Sequence, residues 1–276
     1  MFKIRLFQMI AITILGLVSV GGVSSQDRTL SVDSHRALDA AVDQLHARYG
    51  WVITYQDPPY EYPDDLVNIT PPGTMVDGIL ARKHMVPRKR SVTVAYSEPK
   101  TGSPEDKHKT LDEIVKGFRE AGAGEFRIHH RGPVSHIVPK TVRRASGGWE
   151  QVSSLCDIEV SFPPAMRTIH ESVMLILSQV SQRMGTHIFA GLMPWNRMLN
   201  GVYMTGAQNE NACDALVEVL ESVNFRRAEM HAPMIHGTWA MLYDPTIKQY
   251  AFNVSFIEAP KPPSPLLGRP PGENIK

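Results

Sequence analysis

The sequence predicts an α+β protein built from two tandem βαββαβ-type units, each with two helices packed on a small mixed sheet. An amphipathic helix that ends in Arg-x-Gly and continues into a short apolar strand occurs twice, at Arg48-Tyr-Gly-Trp-Val-Ile53 and Arg183-Met-Gly-Thr-His-Ile188. Around these motifs, segments with helical and with alternating apolar spacing follow one another in the same order. A repeated scaffold without a repeated catalytic signature favours assembly or binding.

The first half is predicted to contain two helices and three strands. Leu38, Val42 and Leu45 keep helical spacing, and Gly50 supplies a left-handed C-cap for their helix. Thr110-Leu-Asp-Glu113 is a capping box that opens the second helix. The predicted strands are residues 51–55, 91–96 and 126–128.

The second half repeats this order and adds a terminal strand. Thr168-Ile-His-Glu171 is a capping box for a long helix that ends at Gly185, and Asn209 is predicted to cap a second helix. The predicted strands are residues 156–162, ended by Pro163-Pro164, then 186–190, 201–205, 225–231, 238–243 and 249–256.

Changes in composition along the chain predict its domain organisation. The predicted domains are residues 27–142 and 149–258, joined by the glycine-rich linker 143–148 and followed by a Pro-rich tail at 259–276. The first unit is longer between its helices, and the excess maps onto an insertion at residues 57–90.

This insertion is the predicted binding surface, because aromatic and charged side chains on a long loop are available to a partner. Its acidic part carries the binding candidates, and its far end is basic, with Arg88 and Arg90. An alternative interpretation is an extended arm that packs its tyrosines onto its own domain. The binding candidates are Tyr60, Tyr62, Asp64 and Asp65.

The N-terminus predicts export. A basic start, an apolar run from Leu6 to Val20, and Val23 and Ser25 at the −3 and −1 positions are typical of a signal peptide over residues 1–25. An uncleaved anchor in the inner membrane is the alternative. No integral membrane domain is expected after cleavage. A net charge of +1 argues against a nucleic-acid partner.

The cysteines and histidines are the candidates for a disulfide and for metal binding. Cys156 and Cys213 are the only cysteines, and they are either a disulfide or two buried thiols. Each half also has a proline turn between two histidines. If the flanking strands pair, the two histidines of one hairpin could approach a common metal ion. No third ligand is spaced to complete such a site. The histidines are His130 and His136 in the first half, and His231 and His236 in the second.

The stretch from Ala37 to Tyr55, Ala-Leu-Asp-Ala-Ala-Val-Asp-Gln-Leu-His-Ala-Arg-Tyr-Gly-Trp-Val-Ile-Thr-Tyr, resembles the short N-terminal domain shared by secretins and TonB-dependent receptors. The helix predicted at residues 209–223 is similar to the second helix of that family. The resemblance implies a periplasmic protein-interaction module without catalytic residues. This chain departs from the family's setting, since neither a barrel nor a secretin core follows.

These observations predict an exported, periplasmic or secreted, non-enzymatic module that contacts a protein or cell-envelope partner and needs no cofactor. The alternative is a secreted hydrolase or metal-dependent enzyme that uses the histidine-containing hairpins. The sequence has no Gly-x-Ser-x-Gly, His-Glu-x-x-His or phosphate-loop motif.

Overall fold

A computed structural model describes residues 27–76, 79–80, 82–229, 232 and 234–258. The predicted signal peptide, the Pro-rich tail and His231 lie outside the described residues.

The first half is an α+β unit with short hairpins in its insertion. Its elements are β1 (Asp27–Ser34), α1 (Ala37–Tyr49), β2 (Val52–Gln56), a 3-10 turn (Pro63–Asp65), β3 (Leu66–Asn68), β4 (Met75–Val76), β5 (Ile79–Leu80), β6 (Met85–Pro87), β7 (Arg90–Ser97), α2 (Pro104–Glu120), β8 (Phe126–Arg131), β9 (Val134–Pro139) and β10 (Thr141–Arg143).

The second half follows without an extended linker. Its elements are β11 (Trp149–Gln151), a 3-10 turn (Leu155–Asp157), β12 (Glu159–Arg167), α3 (Ile169–Met184), β13 (Ile188–Ala190), α4 (Trp195–Met198), β14 (Tyr203–Asn211), α5 (Ala212–Glu221), α6 (Val223–Glu229), β15 (Ile235–Asp244) and β16 (Gln249–Glu258).

Local signals account for the ends of several helices. Gly50 and Gly185 adopt left-handed φ angles of 63° and 64° after α1 and α3, where a side chain would be strained. Thr168 caps α3 through the predicted capping box. The predicted start of α2 at Thr110 was wrong, because Ser103 accepts a hydrogen bond from the Asp106 amide and the helix begins at Pro104.

One mixed sheet of six strands lies at the centre of the molecule. Its order is β13-β16-β15-β2-β9-β8, with parallel pairing of β13 with β16, β15 with β2, and β2 with β9. The other two pairs are antiparallel. The α+β class is therefore confirmed. The tandem arrangement with one sheet in each unit is not confirmed, because both halves contribute three strands to this sheet.

The halves also share apolar packing. The core beneath α1 and α2 receives Leu242 from the second half, whereas the core around α3 and α5 receives Val138 and Tyr60 from the first. Cys156 and Cys213 form a disulfide with Cα atoms 5.0 Å apart, and both residues lie in the second core. The bridge ties the turn before β12 to the first turn of α5.

Three predictions for the second half were wrong. β12 does not end at Pro163-Pro164 but continues to Arg167. It pairs on one side only, with β14, and the register of this pairing is irregular around the prolines. Proline is tolerated at such positions because it has no backbone N–H to donate to a neighbouring strand. β14 extends to Asn211, so Asn211 rather than Asn209 caps α5. Residues 223–229 are helical rather than a strand, and the Asn224 side chain bonds the backbone of Ile235 at the start of β15.

Candidate functional site

A surface cavity of about 270 Å³ opens between the 57–90 insertion and the segments 122–124 and 141–149. We call it the insertion cavity. Tyr55 and Tyr60 form part of its wall, and the Trp149 side chain, 60% exposed, stands on its rim. Three guanidinium-bearing side chains line it: Arg88, Arg90 and Arg143. The cavity therefore combines aromatic surface with positive charge.

Two of the four predicted binding residues line this cavity. Tyr60 and Asp65 do, and Asp65 forms an ion pair of 3.2 Å with Arg90. Tyr62 lies beneath the Arg143 guanidinium, and its ring centroid is 3.7 Å from the Arg143 Cζ. The Tyr62 hydroxyl donates a 2.8 Å hydrogen bond to the exposed Asp64. Tyr62 and Asp64 do not line the cavity, and Tyr62 contacts one of its arginines, Arg143.

The alternative of an arm that packs its tyrosines onto its own domain fits only in part, because Tyr60 packs onto the core of the other half. Tyr60 packs against the second core, and its hydroxyl donates to Asp57 Oδ1 at 3.2 Å. Burial raises the pKa of Tyr60 well above its usual value, so this hydroxyl stays protonated. Tyr60 is a fixed wall of the cavity.

A buried carboxylate that the sequence analysis did not single out anchors the insertion. Asp57 is fully buried and accepts hydrogen bonds from Arg36 Nε at 2.6 Å, the Tyr55 hydroxyl at 2.8 Å and the Tyr243 amide at 3.1 Å. Arg36 also donates to the Tyr243 carbonyl at 2.7 Å. Burial raises the pKa of Asp57, and the Arg36 guanidinium opposes that rise. The cluster joins the start of the insertion to both halves.

A second carboxyl near this cluster has an altered ionisation. Burial, together with the negative charges of Asp57 and Asp43, raises the pKa of Asp39 in α1 to about 7. Asp39 is therefore a weak acid whose ionisation is opposed by the fold.

We expect Asp39→Asn to stabilise the protein increasingly as the pH rises. The pKa of Asp39 is about 7 in the folded state and has the ordinary value of 3.8 in the unfolded state. The contribution of Asp39 to stability is therefore fully present below the unfolded-state pKa and is lost as the pH rises through the folded-state pKa. Asparagine does not ionise, and its advantage should grow by about 1–2 kcal/mol between about pH 5 and about pH 8. Urea unfolding at both pH values measures it. Glu159→Gln, at an exposed position in β12, is the control, and an advantage of Asp39→Asn that is equal at both values would contradict the assignment.

The first histidine hairpin does not bring its two predicted ligands together, and His231 of the second lies outside the described residues. In the β8–β9 hairpin His129 faces His136, whereas His130 faces Ser135, so His130 and His136 project from opposite sides of the sheet. His130 stacks on His108 with ring centroids 3.7 Å apart. His236 bonds Glu221 at 3.0 Å, which raises the pKa of His236.

His136 belongs instead to a buried polar row. Its Nδ1 lies 2.7 Å from the Thr54 hydroxyl, and its Nε2 lies 3.7 Å from Asp214 Oδ1. This hydroxyl, imidazole and carboxylate resemble a nucleophile triad, but Thr54 and His136 are fully buried and out of reach of a substrate. The neighbouring Cys156 and Cys213 sulfurs are joined in the disulfide and offer no thiolate to a metal.

Arg131 connects this row to α5 and β14. Its guanidinium lies 3.5 Å from Glu210 and 3.7 Å from Asp214, and it also bonds Glu218. The carboxylates all come from the second half, whereas Arg131 and His136 come from the first. The cluster therefore acts as an electrostatic contact between the halves.

Comparison with protein-family models, curated proteins and solved structures gives no match for this chain. Within the described residues, no helix is both long and apolar enough to cross a membrane.

Proposed function

We propose that this protein is an exported, non-enzymatic binding module whose insertion cavity contacts a protein or cell-envelope partner. The proposal rests on the types of residue that line the cavity. Arginine and tryptophan are the residue types enriched where proteins bind partners, and here they converge on one concave surface. The resemblance of residues 37–55 to a periplasmic interaction domain points in the same direction.

The cavity is also well supported by the protein around it. Tyr60 and Asp57 fix the start of the insertion, and the Arg90–Asp65 pair and the stacking of Arg143 on Tyr62 fix its sides. A pre-organised surface binds with a smaller loss of conformational entropy. Ordered aromatic and guanidinium groups therefore favour recognition over a passive surface loop.

Export remains a proposal that rests on the N-terminal sequence. The Cys156–Cys213 disulfide is compatible with it, because such bonds persist in oxidising compartments such as the periplasm. Within the described residues the hydrolase alternative has no comparable support, since His130 and His136 project from opposite sides of the sheet and His136 is fully buried.

Site-specific photo-crosslinking in whole cells tests the proposal. A p-benzoylphenylalanine side chain at position 149, on the cavity rim, should capture a partner as a discrete adduct. The matched control is position 192, where Leu192 is 79% exposed and does not line the cavity. The same adducts at both positions, or no adduct at 149, would mean that the cavity does not hold a partner.

A further inference from the structure

We propose that the insertion cavity recognises an anionic group, a carboxylate or a phosphate, carried on a ring or compact apolar body. This inference rests on the proposed binding function and names the chemical class of the ligand. It follows from the charges that remain uncompensated in the cavity, from its aromatic walls and from its size.

The uncompensated charges belong to Arg88 and Arg143. Arg88 donates to the backbone carbonyls of Asp64 and Leu66, at 2.9 and 3.4 Å, and Arg143 to that of Gly147 at 3.3 Å. Within the described part of the chain, neither guanidinium has a carboxylate within 4.0 Å.

The acidic residues of the cavity are already engaged. Asp65 pairs with Arg90 at 3.2 Å, and Glu61 pairs with Arg144 at 2.7 Å. Arg144 does not line the cavity and forms a second guanidinium–carboxylate pair with Glu150 at 2.6 Å. Arg88 and Arg143 therefore have hydrogen bonds but no counter-charge, and they create a positive electrostatic potential in the cavity. A concave surface focuses such a potential.

The donor chemistry suits an oxyanion. Guanidinium groups present planar pairs of N–H donors that match the two oxygens of a carboxylate or phosphate. Arg143 also lies over the Tyr62 ring, with its Cζ 3.7 Å from the ring centroid, and this contact limits the motion of the arginine before a ligand arrives. The loss of side-chain entropy on binding is correspondingly smaller.

The rest of the cavity suits a ring. Tyr55 and Tyr60 supply apolar wall, and Trp149 adds exposed indole surface at the rim of the cavity. The volume of about 270 Å³ lies near the lower limit of small-molecule sites, and it accommodates a terminal group rather than a long chain.

Binding of a matched series of small aromatic probes tests the inference. Benzoate and phenyl phosphate carry the anion, benzamide is neutral and benzamidine is cationic, while the ring is constant. Isothermal titration gives the affinities, and the indole N–H resonance of Trp149, assigned with Trp149→Phe, reports whether the probe occupies this cavity. We expect benzoate or phenyl phosphate to bind with a Kd of about 1 mM or tighter, and benzamide and benzamidine at least about tenfold more weakly. Binding of the anions should weaken as salt is added.

Variants that remove or keep the arginine charges assign the effect to residues. The double variant Arg88→Gln/Arg143→Gln should lose at least about tenfold in anion affinity, whereas Arg183→Gln, at an exposed position on α3, should keep it. Arg88→Lys/Arg143→Lys keeps the charge and should retain more of the binding. Circular dichroism checks that each variant is folded.

The two anions distinguish the source of the charge. Tighter binding of benzoate indicates a carboxylate ligand, tighter binding of phenyl phosphate indicates a phosphate, and equal affinity leaves the shared anionic character as the determinant. Benzamide binding as tightly as benzoate to the wild type, or absence of any anion binding, would overturn the inference without reference to a variant. A crosslinked partner at position 149 combined with no anion binding would retain the proposed function and reject this ligand class.

Discussion

Replacing Asp57 by alanine is expected to lower the free energy of unfolding by about 3–5 kcal/mol, the largest loss that we expect from a single substitution. The carboxylate is fully buried, and its removal leaves the Arg36 guanidinium, 24% exposed, without its counter-charge. The Tyr55 hydroxyl and the Tyr243 amide also lose their acceptor. Urea unfolding followed by circular dichroism measures the change.

Asp64→Ala is the matched control for this substitution. Asp64 belongs to the same insertion but is exposed and accepts a hydrogen bond from Tyr62 at 2.8 Å, so its loss should cost no more than about 0.5 kcal/mol. The double variant Arg36→Ala/Asp57→Ala should lose less than the sum of the single variants, because it leaves no unpaired charge. Equal losses for Asp57→Ala and Asp64→Ala would show that the buried cluster does not anchor the insertion.

Removal of the disulfide is expected to have the next largest effect. Cys156 and Cys213 are separated by 57 residues in sequence, and opening a loop of that size should lower the free energy of unfolding by about 2–4 kcal/mol. Cys156→Ala/Cys213→Ala is the suitable variant, since both sites are buried among apolar side chains. Urea unfolding of both proteins, with and without a reducing agent, measures the difference.

The reducing agent also provides the control. It should destabilise the wild type by an amount similar to the double substitution, and it should leave the double variant unchanged. Equal stability of oxidised wild type and double variant would contradict a stabilising role for the bridge.

The parts of the fold that depend on local chemistry could be predicted from the sequence. Gly50 and Gly185 end their helices because a left-handed residue is required there, and the Thr168 box opens α3 because it satisfies free amides. The pairing of β2 with β15 is different in kind. It joins strands far apart in sequence, and alternating apolar residues are compatible with many partners.

The candidate site was predicted only in part for the same reason. The composition of the insertion was sufficient to select Tyr60 and Asp65, which line the cavity. Arg143 is the first residue of the segment 143–148, which its glycines and polar residues marked as a linker, and Trp149 follows this segment directly. That segment instead connects β10 to β11, and Arg144 within it pairs with Glu61 of the insertion. Only the tertiary contact places these residues beside the insertion.

The central claim is that the insertion cavity holds an anionic group of the partner through Arg88 and Arg143, and crosslinking from the cavity rim in two charge backgrounds tests this most directly. The yield of the adduct formed by p-benzoylphenylalanine at position 149 would be compared between Arg88→Gln/Arg143→Gln and Arg183→Gln, at equal protein levels in whole cells. The account predicts that the adduct is retained in the Arg183→Gln protein and falls by about tenfold in the double variant, which corresponds to about 1.4 kcal/mol of binding free energy. An adduct of equal yield in both proteins would contradict it.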